Sequence, residues 1–228
     1  MPLGTPPSGG LDRFPSAPVA GRGLFRLYAH IDPSNGVERS PWWFASAHAD
    51  PDRGGRFDLQ EPNGACYLAG SRTAAVLEVY QGHQVIPASA LERRRMACVV
   101  APDGAPDAAD LACAAARGYG ITGEIHTVPN RPATRAWAEA LFDAGWRALR
   151  GLARHDPAQQ LDTVTLLDAA GAHPPYGDED GWAVELERPA TDAALIRDLA
   201  RYGLNVQGGL HSPEFVPLED SGLLDEES

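Results

Sequence analysis

Strand-like and helix-like segments succeed one another along this chain without a regular β-α-β repeat, and that order restricts its architecture more than any other feature. Residues 24–28 alternate in the manner of a strand. Ala65-Cys66-Tyr67-Leu68-Ala69 follows the turn signal Pro62-Asn63-Gly64 and predicts a second strand, ended by Gly70. Ser71 is placed to cap a helix over residues 73–80 that stops near Gly82, because its hydroxyl can accept from a backbone N–H otherwise left without a partner. Further strands are expected at 96–100, 121–128, 163–167 and 182–186. Helices are expected at 107–117, stopped by Gly118, and from Thr134 to Gly145, with Trp137, Leu141 and Ala144 on one side. A last helix is expected at 192–202, capped by Thr191 and followed by Gly203. This mixture predicts an α+β fold and argues against a doubly wound sheet, which needs strands and helices in alternation.

Composition divides the chain into three stretches. Residues 1–23 carry Pro2, Pro6, Pro7, Pro15 and Pro18 with Gly4, Gly9 and Gly10, and predict a disordered leader that cannot bury much apolar surface. One domain is expected over 24–210, within the usual size range for a single core. Residues 211–228 contain Glu219, Asp220, Asp225, Glu226 and Glu227 and predict a solvated, mobile acidic tail. Residues 32–57, rich in Gly, Pro, Asp and Ser, predict a long loop, and such loops commonly border a site.

The formal charge of −12 argues against direct nucleic-acid binding, which needs a basic face. All nineteen basic residues are arginine. Coding bias is one reading of that; the other is a use for planar donors that hold phosphate groups. With so much negative charge overall, an anionic substrate would need a local cluster of arginines. Cys66, Cys98 and Cys113 form no Cys-x-x-Cys pair and are expected to be reduced, buried small hydrophobes. No run reaches the ~18 apolar residues of a membrane span, and residues 1–23 lack the apolar centre of a secretory signal, so a cytoplasmic location is expected. The seven histidines have no metal-ligand spacing, and His155-Asp156 before Pro157 reads as a turn, so no metal is expected. Gly-rich phosphate-binding motifs and the Gly-x-Ser-x-Gly elbow are missing too.

Several short blocks are more specific. They are Leu24-Phe25-Arg26, Gly55-Arg56-Phe57, the 65–69 strand and Ala75-Val76-Leu77-Glu78. Downstream come Trp137-Ala138-Glu139-Ala140-Leu141, Ala144-Gly145-Trp146 and Leu152-Ala153-Arg154-His155-Asp156-Pro157. In order and spacing these blocks resemble the RES domain family over roughly residues 23–188. The resemblance implies an ADP-ribosyltransferase-like fold of mixed sheets flanked by short helices. It implies an enzyme that consumes NAD as its substrate, by phosphorolysis with inorganic phosphate or by hydrolysis, as the toxin of a bacterial toxin–antitoxin pair. ADP-ribosylation of a protein target is the alternative activity. The implied partner is a helical DNA-binding antitoxin that blocks the cleft.

Glu78 and Tyr67 are the candidate catalytic residues, and Arg26, Arg56 and Tyr28 the candidate substrate-binding residues. Cleavage of a nicotinamide–ribose bond passes through an oxocarbenium-like transition state, which a nearby carboxylate stabilises. Glu78 can supply that carboxylate, Arg26 and Arg56 planar donors for a pyrophosphate, and Tyr67 a flat face for nicotinamide. Each has a plainer alternative: an exposed helical glutamate, a core tyrosine, an ion-paired arginine at a strand edge. Glu78 stands among Ala75, Val76, Leu77 and Val79, a setting in which a carboxylate needs a partner or a function. The family is named for an Arg, a Glu and a Ser, and its serine falls in the 152–155 block, where this chain has Ala153. Ser71 is a candidate substitute, although a cap has its oxygen occupied by the backbone. The missing hydroxyl leaves a third reading, a non-catalytic binding protein that keeps the fold.

Overall fold

The computed structural model describes residues 2–31, 36–50, 53–80, 82–176 and 181–208. In chain order its elements are β1 (Ser16–Ala17), β2 (Gly23–Ala29), β3 (Asn63–Ala69), α1 (Arg72–Tyr80), β4 (Val85–Pro87), α2 (Ala88–Glu92) and β5 (Arg94–Val100). Then come β6 (Ala108–Asp110), α3 (Glu124–Thr127), α4 (Arg131–Asp143), β7 (Ala148–Leu152), β8 (Asp162–Ala169), β9 (Ala183–Pro189), α5 (Ala193–Arg201) and β10 (Asn205–Gln207). The described residues form an eight-stranded sheet in the order β1-β6-β7-β8-β3-β2-β5-β9, and β10 pairs with β4 apart from it. Pairing in the large sheet is antiparallel except between β6 and β7. The architecture is α+β: a mixed sheet flanked by helices.

Strand alternation sorts the core. On β3, Cys66 and Leu68 pack with Leu24, Val99, Val164 and Leu166 on one side. Ala65 and Tyr67 turn to the other, where Phe57, Leu59, Trp137 and Leu141 lie. Helix α1 covers the next part of the sheet, with Ala74, Ala75, Val76 and Leu77 against Leu27, Ala69 and Met96. It starts where the sequence indicates, since Ser71 Oγ accepts from the Ala74 N–H at 3.1 Å. β3 and β8 pair along their whole length, from Asn63↔Ala169 to Ala69↔Thr163. β3 and β2, by contrast, meet in register at Phe25↔Ala69 and diverge beyond it.

Five expectations need correction. Residues 2–22 are not a disordered leader: Leu11, Phe14 and Val19 are buried, and β1 pairs with β6. The Trp137 and Trp146 indoles donate to the carbonyls of Gly4 and Leu11 at 2.8 and 2.7 Å. A composition argument misses this because the segment has few apolar residues but seats most of them in the core, where burial is worth about 1.5–3 kcal/mol for a Leu or Phe. Residues 107–117 are not one helix. Ala108, Ala109 and Asp110 are buried as β6 between β1 and β7, and a 3-10 helix (Ala114–Tyr119) follows, so tertiary pairing overrides the helix preference of alanine. Residues 121–128 alternate in sequence yet contain the helical turn α3. Its consecutive Ile125 and His126 are both buried, which a strand with one solvated face would not allow. Helix α4 begins at Arg131, three residues before the expected Thr134, with Asn130 Oδ1 accepting from the Ala133 N–H at 3.3 Å. Asp192 rather than Thr191 caps α5, accepting from Ala194 N–H at 2.7 Å. The acidic residues 211–228 and the predicted domain end at 210 lie outside the described residues. Among the described residues no helix is long and apolar enough to cross a membrane.

Candidate active site

A cleft of about 430 Å³ lies where β2 and β3 part. Tyr67 on β3 and Thr163 and Thr165 on β8 line it, with Ala75, Glu78 and Val79 of α1 facing them. Glu78 is fixed from two directions. Its Oε2 lies 3.1 Å from an Arg56 guanidinium nitrogen, and its Oε1 accepts from the backbone N–H of Arg154 at 2.6 Å. With 23% of its side chain exposed, the carboxylate is held in place yet opens to the cleft.

Arg56 is buried, and its guanidinium ties distant segments together. One nitrogen donates to the His126 carbonyl; the other bonds Glu78 and, at 3.5 Å, the Leu152 carbonyl. The Thr134 hydroxyl in turn donates to the Arg56 carbonyl at 2.6 Å. Arg56 therefore supplies charge to the cleft wall while most of its donors are occupied.

Tyr67 is equally fixed. Its hydroxyl donates to Asp58 Oδ1 at 2.7 Å and accepts from the Phe57 N–H at 2.9 Å. Burial raises the pKa of Tyr67 well above its ordinary value, and the adjacent Asp58 charge adds to the shift. Burial also raises Asp58, although the Tyr67 hydrogen bond and the Gly55 N–H oppose it. The phenol therefore keeps its proton, and what Tyr67 presents to the cleft is a rigid aromatic face rather than a base. Gly55 makes this possible. A Cβ there would stand 2.1 Å from the Tyr67 hydroxyl and 2.5 Å from Asp58 Oδ1, so the loop can cross the pair only as glycine.

The remaining candidates are placed differently. Arg26 borders the cleft, but its guanidinium donates to the carbonyls of Pro41 and Trp43 and to Cys66 Sγ, anchoring that loop. Tyr28 does not line the cleft: it packs with Trp42 and Leu24, and its hydroxyl bonds Glu187, a burial and pairing that raise its pKa. Its expected substrate contact is thus not what the fold provides, because the side chain is committed to the core. Ser71 is occupied as the α1 cap and does not line the cleft. Ala153 is 2% exposed and packs with Ala74, Ala75 and Leu77, so this position faces the core. Its neighbours Arg154 and His155 line the cleft instead, and sequence reading had assigned them no role. Asp58 and Arg131 were missed as well; a lone aspartate in a Gly-rich loop and an arginine at the start of a helix carry no signal of their own. Among the described residues the cleft is lined by four arginines, Arg26, Arg56, Arg131 and Arg154, against Asp58 and Glu78. That is the local basic cluster an anionic substrate would need in a chain of net charge −12. No group of three or more metal-ligating side chains occurs among the described residues.

Behind Arg56 lies His126, 3% exposed, whose Nδ1 accepts from the Leu152 N–H at 3.2 Å. Burial, then the Arg56 charge, lowers its pKa from 6.5 to about 4. The unfolded chain binds this proton at a higher pH than the folded one. Its neutral-state contribution is therefore complete above pH ~6.5 and is lost as pH falls towards ~4, on the order of 3 kcal/mol. Urea denaturation across that window should show His126→Gln losing less stability than the wild-type protein. Parallel losses would show that His126 is not the titrating group.

Comparison with protein families matches residues 24–187 to the RES domain. Comparison with curated proteins finds no match. Among solved structures, a chain of the M. tuberculosis MbcT–MbcA toxin–antitoxin complex is similar, with a TM-score of 0.56 and 18% identity over 81% of this chain and 92% of that one. At that identity the likeness is one of fold. The family match spans most of the chain, from β2 into β9, and takes in every cleft element described above; the chain belongs to the RES domain family.

Proposed function

We propose that this protein cleaves the nicotinamide–ribose bond of NAD, with phosphate or water as acceptor, as the toxin of a toxin–antitoxin pair in the cytoplasm. The observation that carries the reading is Glu78, a carboxylate fixed by Arg56 at 3.1 Å and by the Arg154 N–H at 2.6 Å on the wall of an arginine-lined cleft. As the bond breaks, nicotinamide leaves as a neutral base with the bonding electron pair, and positive charge develops on the ribose. A carboxylate already oriented there lowers that barrier without reorganising. The Tyr67 face orients the leaving ring, and the arginines hold the dinucleotide's charge. Family membership and the fold shared with a chain of the MbcT–MbcA toxin–antitoxin complex support the toxin role and an antitoxin as partner, which on this reading is a helical DNA-binding protein. Ala153 does not favour a non-catalytic protein, since the position packs in the core.

Purified protein incubated with NAD, with and without phosphate, is expected to release nicotinamide. Absence of release in both conditions, and with cell extract added as a source of protein acceptors, would overturn the enzymatic reading.

A further inference from the structure

The two arginines that sequence reading assigned to phosphate are largely engaged within the protein: Arg26 with Pro41 and Trp43, Arg56 with His126, Leu152 and Glu78. Two other cleft residues are not. Arg154 lines the cleft, and its guanidinium has no hydrogen-bond or ion-pair partner among the described residues, although its backbone N–H holds Glu78. His155 also lines the cleft, and its Nε2 is shielded from water with no hydrogen-bond partner among the described residues. A shielded ring nitrogen with no partner is costly unless a ligand supplies one. Gly82 stands beside the other edge of the ring, where a Cβ would come within 3.5 Å of both Nδ1 and Cε1 of His155.

We infer that Arg154 and His155 form a subsite for a tetrahedral phosphate oxyanion directly beside Glu78. Guanidinium N–H groups and an imidazole N–H are the donors such an anion takes, and both residues lie on the segment whose backbone positions Glu78. Burial and the Arg154 charge lower the His155 pKa, so the ring offers one N–H without adding a second full charge. The phosphate has two sources in the reaction proposed above, on which this assignment rests: inorganic phosphate as acceptor, or a phosphate group of the dinucleotide. For the acceptor, a phosphate oxygen forms a bond to the ribose anomeric carbon while the carbon–nitrogen bond breaks. Nicotinamide departs with that electron pair, and ADP-ribose 1″-phosphate remains.

Calorimetric titration of the full chain with inorganic phosphate and, separately, with ADP-ribose tests the subsite without turnover. Arg154→Gln and His155→Ala are compared with the wild-type protein, thermal melting confirming that each is folded. The expected result is that at least one variant weakens binding of one probe tenfold or more. Loss confined to inorganic phosphate assigns the acceptor as the source, and loss of ADP-ribose binding assigns the dinucleotide. Unchanged binding of both probes by both variants overturns the subsite. If wild-type protein releases nicotinamide but the variants bind both probes normally, the subsite falls and the enzymatic reading stands. If no nicotinamide is released yet Arg154→Gln loses phosphate binding, the reverse holds.

Discussion

Glu78→Ala is expected to lower nicotinamide release by about 10²–10³-fold, the scale seen when one preorganised electrostatic group is removed from a transition state. Its effect should fall on kcat more than on KM for NAD, because the carboxylate opposes charge that develops only as the bond breaks. Glu78→Gln separates charge from shape. The amide can still accept from the Arg154 N–H now held at 2.6 Å, so the wall keeps its contour while the negative charge is gone. Release by both variants at the wild-type rate would show that Glu78 does not stabilise the reacting ribose. Circular dichroism and melting temperature, measured alongside, separate this from loss of the fold.

Arg56→Met should cost roughly 3–5 kcal/mol of stability, the range for breaking a buried ion pair from one side. Three groups lose a partner at once: the half-buried Glu78 carboxylate, which keeps only the Arg154 N–H, and the carbonyls of His126 and Leu152. Urea denaturation at pH 7 measures the loss. The double variant Arg56→Met with Glu78→Gln should recover part of it, because no unpaired charge then remains. A single-variant loss below about 1 kcal/mol would mean that cleft water and the Arg154 N–H suffice to hold Glu78. Catalysis should fall along with stability, since Arg56 is one of the two groups that orient the carboxylate.

Much of the frame was legible because it depends on local pattern. The alternation at 24–28, the apolar run at 65–69 and the Ser71 cap place β2, β3 and α1, and these carry Arg26, Tyr67 and Glu78 to one cleft. What sequence could not show was which way a donor is turned. Arg26 and Arg154 look alike as letters, yet one anchors a loop through Pro41 and Trp43 and the other borders the cleft with its guanidinium unpaired among the described residues. Tyr28 was misplaced for the same reason: whether a strand tyrosine meets substrate or core is set by Trp42 and Glu187, remote in sequence. The N-terminal segment failed on a different point. Its stability comes from indoles more than 130 residues away, Trp137 and Trp146, which no windowed composition detects.

The position of β3 between β2 and β8 also sets when this cleft can exist during synthesis. The chain makes Tyr67 and Glu78 early, but the strand that completes the floor and the Arg154 N–H that aims the carboxylate are made roughly seventy-five to a hundred residues later. Such distant pairings form slowly, since the intervening chain must be ordered before they bring any gain. A nascent chain that has not yet passed β8 thus holds the sequence of the candidate site without its geometry. Arrested or truncated translation products should accordingly be inert, and any activity toward NAD should begin only as the second half of the domain closes on the first.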